Sequence, residues 1–330
     1  MTGYQTEYEG KLAEALAFIQ QGDDFLVVSH VQPDGDAISS TVVVGWLLSR
    51  LGKRWLLVNE CPVPGRLYHL SLADRIREVN GEPLERDYSH VISIDCADFR
   101  RIGIVSESFS PDVRLLNIDH HPTNDGFGTV NLIRTDAAAT VEILYDLIDY
   151  AGIGLDLDAA NAIYTGLLTD TGGFRYSNTT PHVMNIAANL LRIGVNGSQL
   201  ADHLLEKMTR PQLSLLQKGL SRLAFSEDGR IGWLYIDSAD LEETGAAGED
   251  IEGLVNYARN IDGVEVGILF KGTEEGHYKV SLRSAGLVDV SAIAQTFGGG
   301  GHVRAAGCRI AGTLAEVSGK VLESVRRVLV

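Results

Sequence analysis

The feature that most constrains this chain is a set of short apolar runs that pass without a break into carboxylates and imidazoles. The runs 25–29, 91–94 and 113–118 are β-rich, and they lead into Ser29-His30-Val-Gln-Pro-Asp34-Gly-Asp36, Ile94-Asp95-Cys-Ala-Asp98 and Ile118-Asp119-His120-His121. A fourth run, 55–58, has the same apolar character. Longer segments with helical spacing of apolar residues lie at 37–51, 136–151, 158–169 and 181–193. This alternation predicts an α/β domain built on a mainly parallel sheet. Such sheets bind ligands outside the carboxyl ends of their strands, so the three polar clusters should converge on one edge.

At 330 residues the chain exceeds the usual reach of one hydrophobic core. We expect a catalytic, metal-binding domain over 1–193, a helical linker over 194–224 around Pro211, and a smaller α/β domain over 225–330. In the last, strand candidates at 230–237, 263–270 and 277–283 precede a glycine run and a helix near 313–328. A formal charge of −16 is unsuited to long duplex nucleic acid, whose binding rests on Lys and Arg, but is compatible with a small phosphorylated molecule held by local cations. Cys61, Cys96 and Cys308 form no CxxC pair, so neither a disulfide framework nor a thiolate zinc site is indicated. No run approaches the roughly 20 apolar residues of a membrane span, and the opening residues lack the basic-then-apolar order of a signal peptide. The expected location is the cytoplasm, with no membrane partner.

His30, Asp34, Asp36, Asp95 and His120 stand where strands end, and Asp170 where the helix candidate 158–169 ends. Carboxylates and imidazoles so concentrated repel one another unless something positive sits among them. Oxygen and imidazole donors without thiolate favour manganese, iron or magnesium over a closed zinc site. The carboxylates outnumber the needs of one ion, and two ions about 3.5 to 4 Å apart suit phosphate-ester hydrolysis. Asp34 or Asp36 taken singly serves equally well as a helix N-cap. That account leaves His30, Asp95 and the Asp119-His120-His121 triplet unexplained.

These segments, together with Gly166-Leu-Leu-Thr-Asp170-Thr-Gly-Gly-Phe174, Ser281-Leu-Arg283-Ser284 and Gly298-Gly-Gly-Gly-His302-Val-Arg-Ala-Ala-Gly307, resemble the DHH phosphoesterase family. The match is to the subfamily with an additional C-terminal DHHA1 domain, and it implies a catalytic cleft between the two domains. It further implies one manganese ion held by His30, Asp34 and Asp95, and a second held by Asp36, Asp95, His120 and Asp170, with Asp95 as the bridge. His121 is then implied to face the substrate phosphate, with Asp119 fixing the imidazoles, so that Asp95, Asp119 and His121 are the catalytic set. In the second domain, Arg283, Gly299, Gly300, Gly301, His302 and Arg304 are implied to bind substrate, since glycine amides and arginine forks suit phosphate. One departure is Ile38-Ser39-Ser40, where relatives often have leucine and glycine; it is expected to touch no ligand.

Within the family, the pairing of one DHH and one DHHA1 domain most resembles bacterial oligoribonucleases that also dephosphorylate 3′-phosphoadenosine 5′-phosphate. The implied substrates are di- to pentanucleotides and that bisphosphate. The alternatives are a soluble phosphodiesterase for cyclic or linear dinucleotides, and a non-catalytic nucleotide-binding regulator; the latter should show damaged ligands, and all are intact. A homodimer is compatible with all three. We expect structural roles for His69, His90, His182, His203 and His277, and core positions for Trp46, Trp55 and Trp233. Asp98 is equally suited to supporting a ligand or capping the next segment, and Arg175 to a loop bond or a phosphate.

Overall fold

The computed structural model describes residues 3–273 and 276–329. Its contacts divide the chain into two units, Met1–Lys207 and Met208–Val330. The first unit runs α1 (Gly3–Gln21), β1 (Phe25–Ser29), α2 (Gly35–Arg50), β2 (Trp55–Asn59), β3 (Arg77–Glu78), β4 (Tyr88–Ile94), β5 (Phe109–Asp119), β6 (Val130–Ile133), α3 (Thr140–Tyr150), α4 (Leu157–Asp170), α5 (Pro181–Ile193) and α6 (Gly197–Ala201). Its six strands form one sheet in the order β3-β2-β1-β4-β5-β6, and each neighbouring pair is parallel.

Side chains alternate across a strand, so β1 feeds two cores. Phe25 and Val27 enter one core with Ile92, Ile94, Leu116 and Ile118, while Leu26 and Val28 enter a second core with Val91, Leu115, Ile102 and Val105. Burial on both faces is why β1 is apolar almost throughout rather than alternating. Successive strands are laid to one side of β1 as β2 and β3, then to the other as β4, β5 and β6. This reversal leaves a crevice outside the carboxyl ends of β1 and β4. The expected strands and helices of this unit are present with small shifts at their ends. Helix α1 was not expected, although its buried Leu12, Ala15 and Ile19 have helical spacing.

The second unit runs α7 (Arg210–Ser221), β7 (Ala224–Phe225), β8 (Ile231–Ile236), α8 (Ser238–Thr244), α9 (Leu254–Arg259), β9 (Val266–Gly272), β10 (His277–Ser284), α10 (Val290–Gln295), β11 (Gly300–His302), β12 (Ala305–Ala311) and α11 (Leu314–Val328). Its sheet, ordered β11-β12-β10-β9-β8-β7, is parallel between β8 and β9 and antiparallel elsewhere. The segment 194–224 is shared, with α6 in the first unit and α7 in the second. Among the described residues no helix is long and apolar enough to cross a membrane.

Candidate metal centre

The first cluster leaves β1. His30 is buried, and its Nδ1 lies 2.8 Å from the carbonyl oxygen of Val31. Asp34 caps α2, its Oδ1 accepting from the amides of Asp36 and Ala37 at 3.1 Å each. The same Oδ1 lies 3.9 Å from His30 Nε2, so the capping role does not withdraw Asp34 from the cluster. Asp36, in the first turn of α2, is fully buried. Its Oδ2 accepts from the Thr140 amide at 2.6 Å, and its Oδ1 from the Val141 amide at 3.1 Å and Ser40 Oγ at 3.3 Å. The Ser40 bond corrects the expectation that Ile38-Ser39-Ser40 touches no ligand-type residue; a serine one turn along a helix reaches back to its first turn.

Asp95 follows β4 with φ of 58°, a left-handed backbone that aspartate tolerates better than most side chains. The turn is held by its amide, which donates to Ile118 O at 2.9 Å. Its two carboxylate oxygens face different neighbours: Oδ2 lies 3.5 Å from His30 Nε2, and Oδ1 lies 3.6 Å from His120 Nε2. Thr140 Oγ1 also donates to Asp95 Oδ1 at 2.9 Å. His120 Nε2 is in turn 3.5 Å from Asp170 Oδ2 and 4.0 Å from Asp36 Oδ2. One turn before Asp170, Gly166 lets α4 close on its neighbours, because a Cβ there would meet Val141 at 2.7 Å and Asp36 Oδ1 at 2.9 Å.

The donors fit divalent cations on chemical grounds. In both His30 and His120, Nδ1 faces a backbone carbonyl, that of Val31 and, at 3.3 Å, that of Ala137. A carbonyl only accepts, so Nδ1 carries the hydrogen and Nε2 turns a lone pair toward carboxylate oxygens. Nitrogen-to-oxygen distances of 3.5 to 4.0 Å are too long for hydrogen bonds. Donors held about 2.1 Å from one ion lie about 3 to 3.5 Å apart, close to this spacing. The atoms fall into the sets His30, Asp34, Asp95 and Asp36, His120, Asp170, each within 4.8 Å and without a cysteine.

The crowding of charge is visible in the protonation of the cluster. Burial, then the charges of Asp95 and Asp34, push the Asp36 carboxyl well above the usual range, and burial with Asp36, Asp34 and Asp95 does the same to Asp170. Burial also raises Asp95, but the neighbouring imidazoles of His30, His121 and His120 outweigh it and hold that carboxyl well below the usual range. His120 is lowered by burial. His121 is lowered by burial too, yet the Asp119 hydrogen bond and the Asp95 charge carry it up to about 9. Its Nδ1 lies 2.7 Å from Asp119 Oδ1, and Asp119 Oδ2 accepts from Asn124 Nδ2 at 2.6 Å. Asp119 thus orients His121, whereas His120 leans on the Ala137 carbonyl.

Sequence reasoning missed the segment that knits this site together. Arg134 donates its amide to Asp119 O at 3.1 Å and pairs through its guanidinium with Glu142, whose Oε2 accepts from the Ala138 amide at 2.6 Å. Between them lie the Ala137 carbonyl used by His120 and, at the start of α3, Thr140, which holds Asp36 and Asp95. Asn178 adds bonds from Nδ2 to Ala138 O at 3.2 Å and Asp170 O at 3.1 Å. The only signal was the Ala-Ala-Ala-Thr140 run before a helix, which reads as an ordinary helix start. Of the residues left without a metal role, Asp98 caps the next segment through the Arg100 amide at 2.9 Å, and Arg175 Nε donates to Gly172 O at 2.6 Å. His90 lies against Phe18 and Phe25, His182 against Asp146, and His69 and His203 both meet Arg66 O.

In the second unit Arg283 sits on β10 opposite Ala305, with Nη1 donating to Leu282 O at 3.0 Å. Gly300, Gly301 and His302 form β11, paired with β12. The glycine run is less an amide cradle than expected, because Gly298 and Gly299 donate to Gln295 O and Ala294 O at 3.0 and 2.9 Å to close α10. A Cβ on Gly299 would stand 2.2 Å from Gly307 O, which explains the glycine by close packing, while one on Gly300 would meet nothing within 4 Å. The Arg304 guanidinium lies beside Gly286.

The DHH family N-terminal domain model matches residues 24–167, and the DHHA1 domain model matches residues 233–330. The bifunctional oligoribonuclease and PAP phosphatase NrnA of Thermus thermophilus is 37% identical over 317 residues, covering 92% of this chain and 89% of that protein. The Bacillus subtilis protein of the same name is 29% identical over 302 residues, covering 90% and 92%. In structure, an exopolyphosphatase-related protein from Bacteroides fragilis superposes with a TM-score of 0.83 at 24% identity, covering 96% of each chain, and shares the fold. With its Asp119-His120-His121 triplet at the end of β5 and the second matched domain behind it, the chain belongs to the DHH family, in the group that carries a DHHA1 domain.

Proposed function

We propose that this protein is a two-metal phosphoesterase, manganese-dependent, that hydrolyses di- to pentanucleotides to mononucleotides and dephosphorylates 3′-phosphoadenosine 5′-phosphate to AMP. The observation that carries the reading is the Asp95 carboxylate, whose two oxygens are directed at separate donor sets. In this assignment His30, Asp34 and Asp95 would hold one ion and Asp36, Asp95, His120 and Asp170 the other. Divalent ions bound there would supply Lewis acidity and a water of lowered pKa. The chain's own part is to fix the donors: the Val31 and Ala137 carbonyls set the two imidazoles, and Thr140 holds the carboxylates between them. We assign to His121, oriented through Nδ1 by Asp119, the part of meeting the negative charge that grows on phosphoryl oxygen. We assign Arg283, Gly300, Gly301, His302 and Arg304 to the substrate away from the scissile bond, with Gly299, whose amide closes α10, packing the segment that carries them. The relatives named as oligoribonuclease and PAP phosphatase support this choice of substrates.

The test is release of phosphate and mononucleotide from pApA, a five-nucleotide RNA, a twenty-four-nucleotide RNA, 3′-phosphoadenosine 5′-phosphate and cyclic di-AMP, with manganese, for wild type and Asp95→Ala. Fast turnover of the short linear substrates, slow turnover of the long one and none in the variant is the expected pattern. Equal rates at every length would overturn the short-substrate reading, preference for the cyclic compound would favour the dinucleotide phosphodiesterase, and activity in Asp95→Ala would remove the bridge.

A further inference from the structure

The loops that leave β4 and β5 carry Asp95 and His121, and just beyond these residues they form an open surface depression of about 350 Å³ lined by Asp98, Phe99, Arg100 and Asp125. Asn124 ties the two loops together, donating through Nδ2 to Cys96 O at 2.9 Å and to Asp119 Oδ2 at 2.6 Å. The depression is thereby fixed beside the candidate metal centre: Asp125 adjoins Asn124, which bonds Asp119, which bonds His121. Its one aromatic wall is Phe99, a large apolar side chain left 43% exposed. That ring is not loose. Phe109 and Phe127 meet it nearly at right angles, 79° and 78°, with centroids 6.1 and 5.8 Å away, a geometry that aromatic pairs favour and that fixes the ring's orientation.

We propose that Phe99 is a stacking platform for the nucleobase of the nucleotide whose phosphate occupies the metal centre, with Asp98, Arg100 and Asp125 around the base and ribose. The inference rests on the proposed nucleotide substrate and deepens it by naming where one base is read. Two carboxylates on the rim repel a second phosphate. They accept from exocyclic amino groups and ribose hydroxyls, and Arg100 can donate to a base carbonyl, so the chemistry fits a nucleoside. The volume lies at the lower end of small-ligand sites, enough for one nucleoside. Stacking on an aromatic ring tolerates every base, which suits an enzyme that must accept short RNAs of any sequence.

The test compares kcat/KM for pApA with that for an analogue whose 5′ or 3′ residue is abasic, in wild type, Phe99→Ala and Phe99→Trp, with manganese. One of the two abasic analogues should be a poor substrate for wild type. The preference for pApA over it should fall roughly tenfold in Phe99→Ala, mostly through KM, and persist in Phe99→Trp. A preference retained within twofold in Phe99→Ala, or lost equally in Phe99→Trp, overturns the platform. Wild type that turns over pApA while Phe99→Ala keeps its preference leaves the phosphoesterase reading standing without the platform; wild type that cleaves neither compound overturns both.

Discussion

Thr140 does for two carboxylates what no ligand can do for itself. Its hydroxyl donates to Asp95 and its amide to Asp36, residues that belong to different donor sets. Thr140→Val keeps the shape and removes only the hydroxyl. A hydrogen bond to a charged group contributes about 1.5–3 kcal/mol, so manganese affinity measured by titration calorimetry should weaken by roughly tenfold or more. Thr140→Ser should restore most of it, and unchanged affinity in the valine variant would show that the hydroxyl does not position Asp95. Asp119 gives a second prediction. Because its charge and hydrogen bond carry His121 up to about 9 against the effect of burial, Asp119→Asn in metal-free protein should drop the His121 titration seen by NMR toward or below the ordinary imidazole value of about 6.5. A titration still near 9 in that variant would assign the shift to Asp95.

At the scale of elements, the segment between β6 and α3 is the brace of the site. Arg134 and Glu142 are almost wholly enclosed, with side-chain exposures of 10% and 1%. Arg134 also pairs with Asp146 and Asp136, so losing Glu142 costs less than the about 3–5 kcal/mol of leaving a buried charge with no partner. Glu142→Ala should still lower the melting temperature, and the manganese affinity with it, since the Ala138 amide loses its acceptor and the Ala137 carbonyl and Thr140 sit on the same segment. A variant that melts lower but binds manganese normally would separate the brace from the site. Which elements were legible in the sequence depends on the same packing. Strand β1 and helices α2 and α4 carry strong apolar patterns because both faces of the sheet and its helices are buried. Strand β12 reads Ala305-Ala-Gly307-Cys308, small residues with little β propensity, and exists because β10 pairs with it residue for residue from His277–Ala311 to Arg283–Ala305. Tertiary pairing of that kind leaves no local signal.

For the whole molecule, the raised carboxyls make stability, metal and pH one problem. Asp36 and Asp170 bind protons in the folded state that the unfolded chain has already released above about pH 4. Metal-free protein should thus lose stability as pH rises from about 4 through the folded values of these groups. His121, raised to about 9, works in the same direction above the unfolded imidazole value, and His120, lowered, works against it. The depressed Asp95 acts only below the usual carboxylate range, outside this window. Melting temperatures of chelated protein should fall between pH 5 and pH 8, and manganese should raise them more at pH 8 than at pH 5. A larger manganese effect at pH 5 would contradict the assignment of those protons. The six clustered side chains could be read from the sequence because donor residues at strand ends are conspicuous there. The supports at Thr140, Asn124, Asn178 and the Ala137 carbonyl could not, since a threonine, an asparagine or a backbone oxygen becomes informative only once the fold has brought it near a carboxylate. That dispersal along the chain bears on biosynthesis. Because the donors are spread from residue 30 to residue 170, a ribosome that has released β1, β4 and β5 has delivered most of them but not the last. On the proposed ligand assignment the complete site cannot be assembled before α4 has emerged, so capture of its metal would be a late event that marks an N-terminal unit already built.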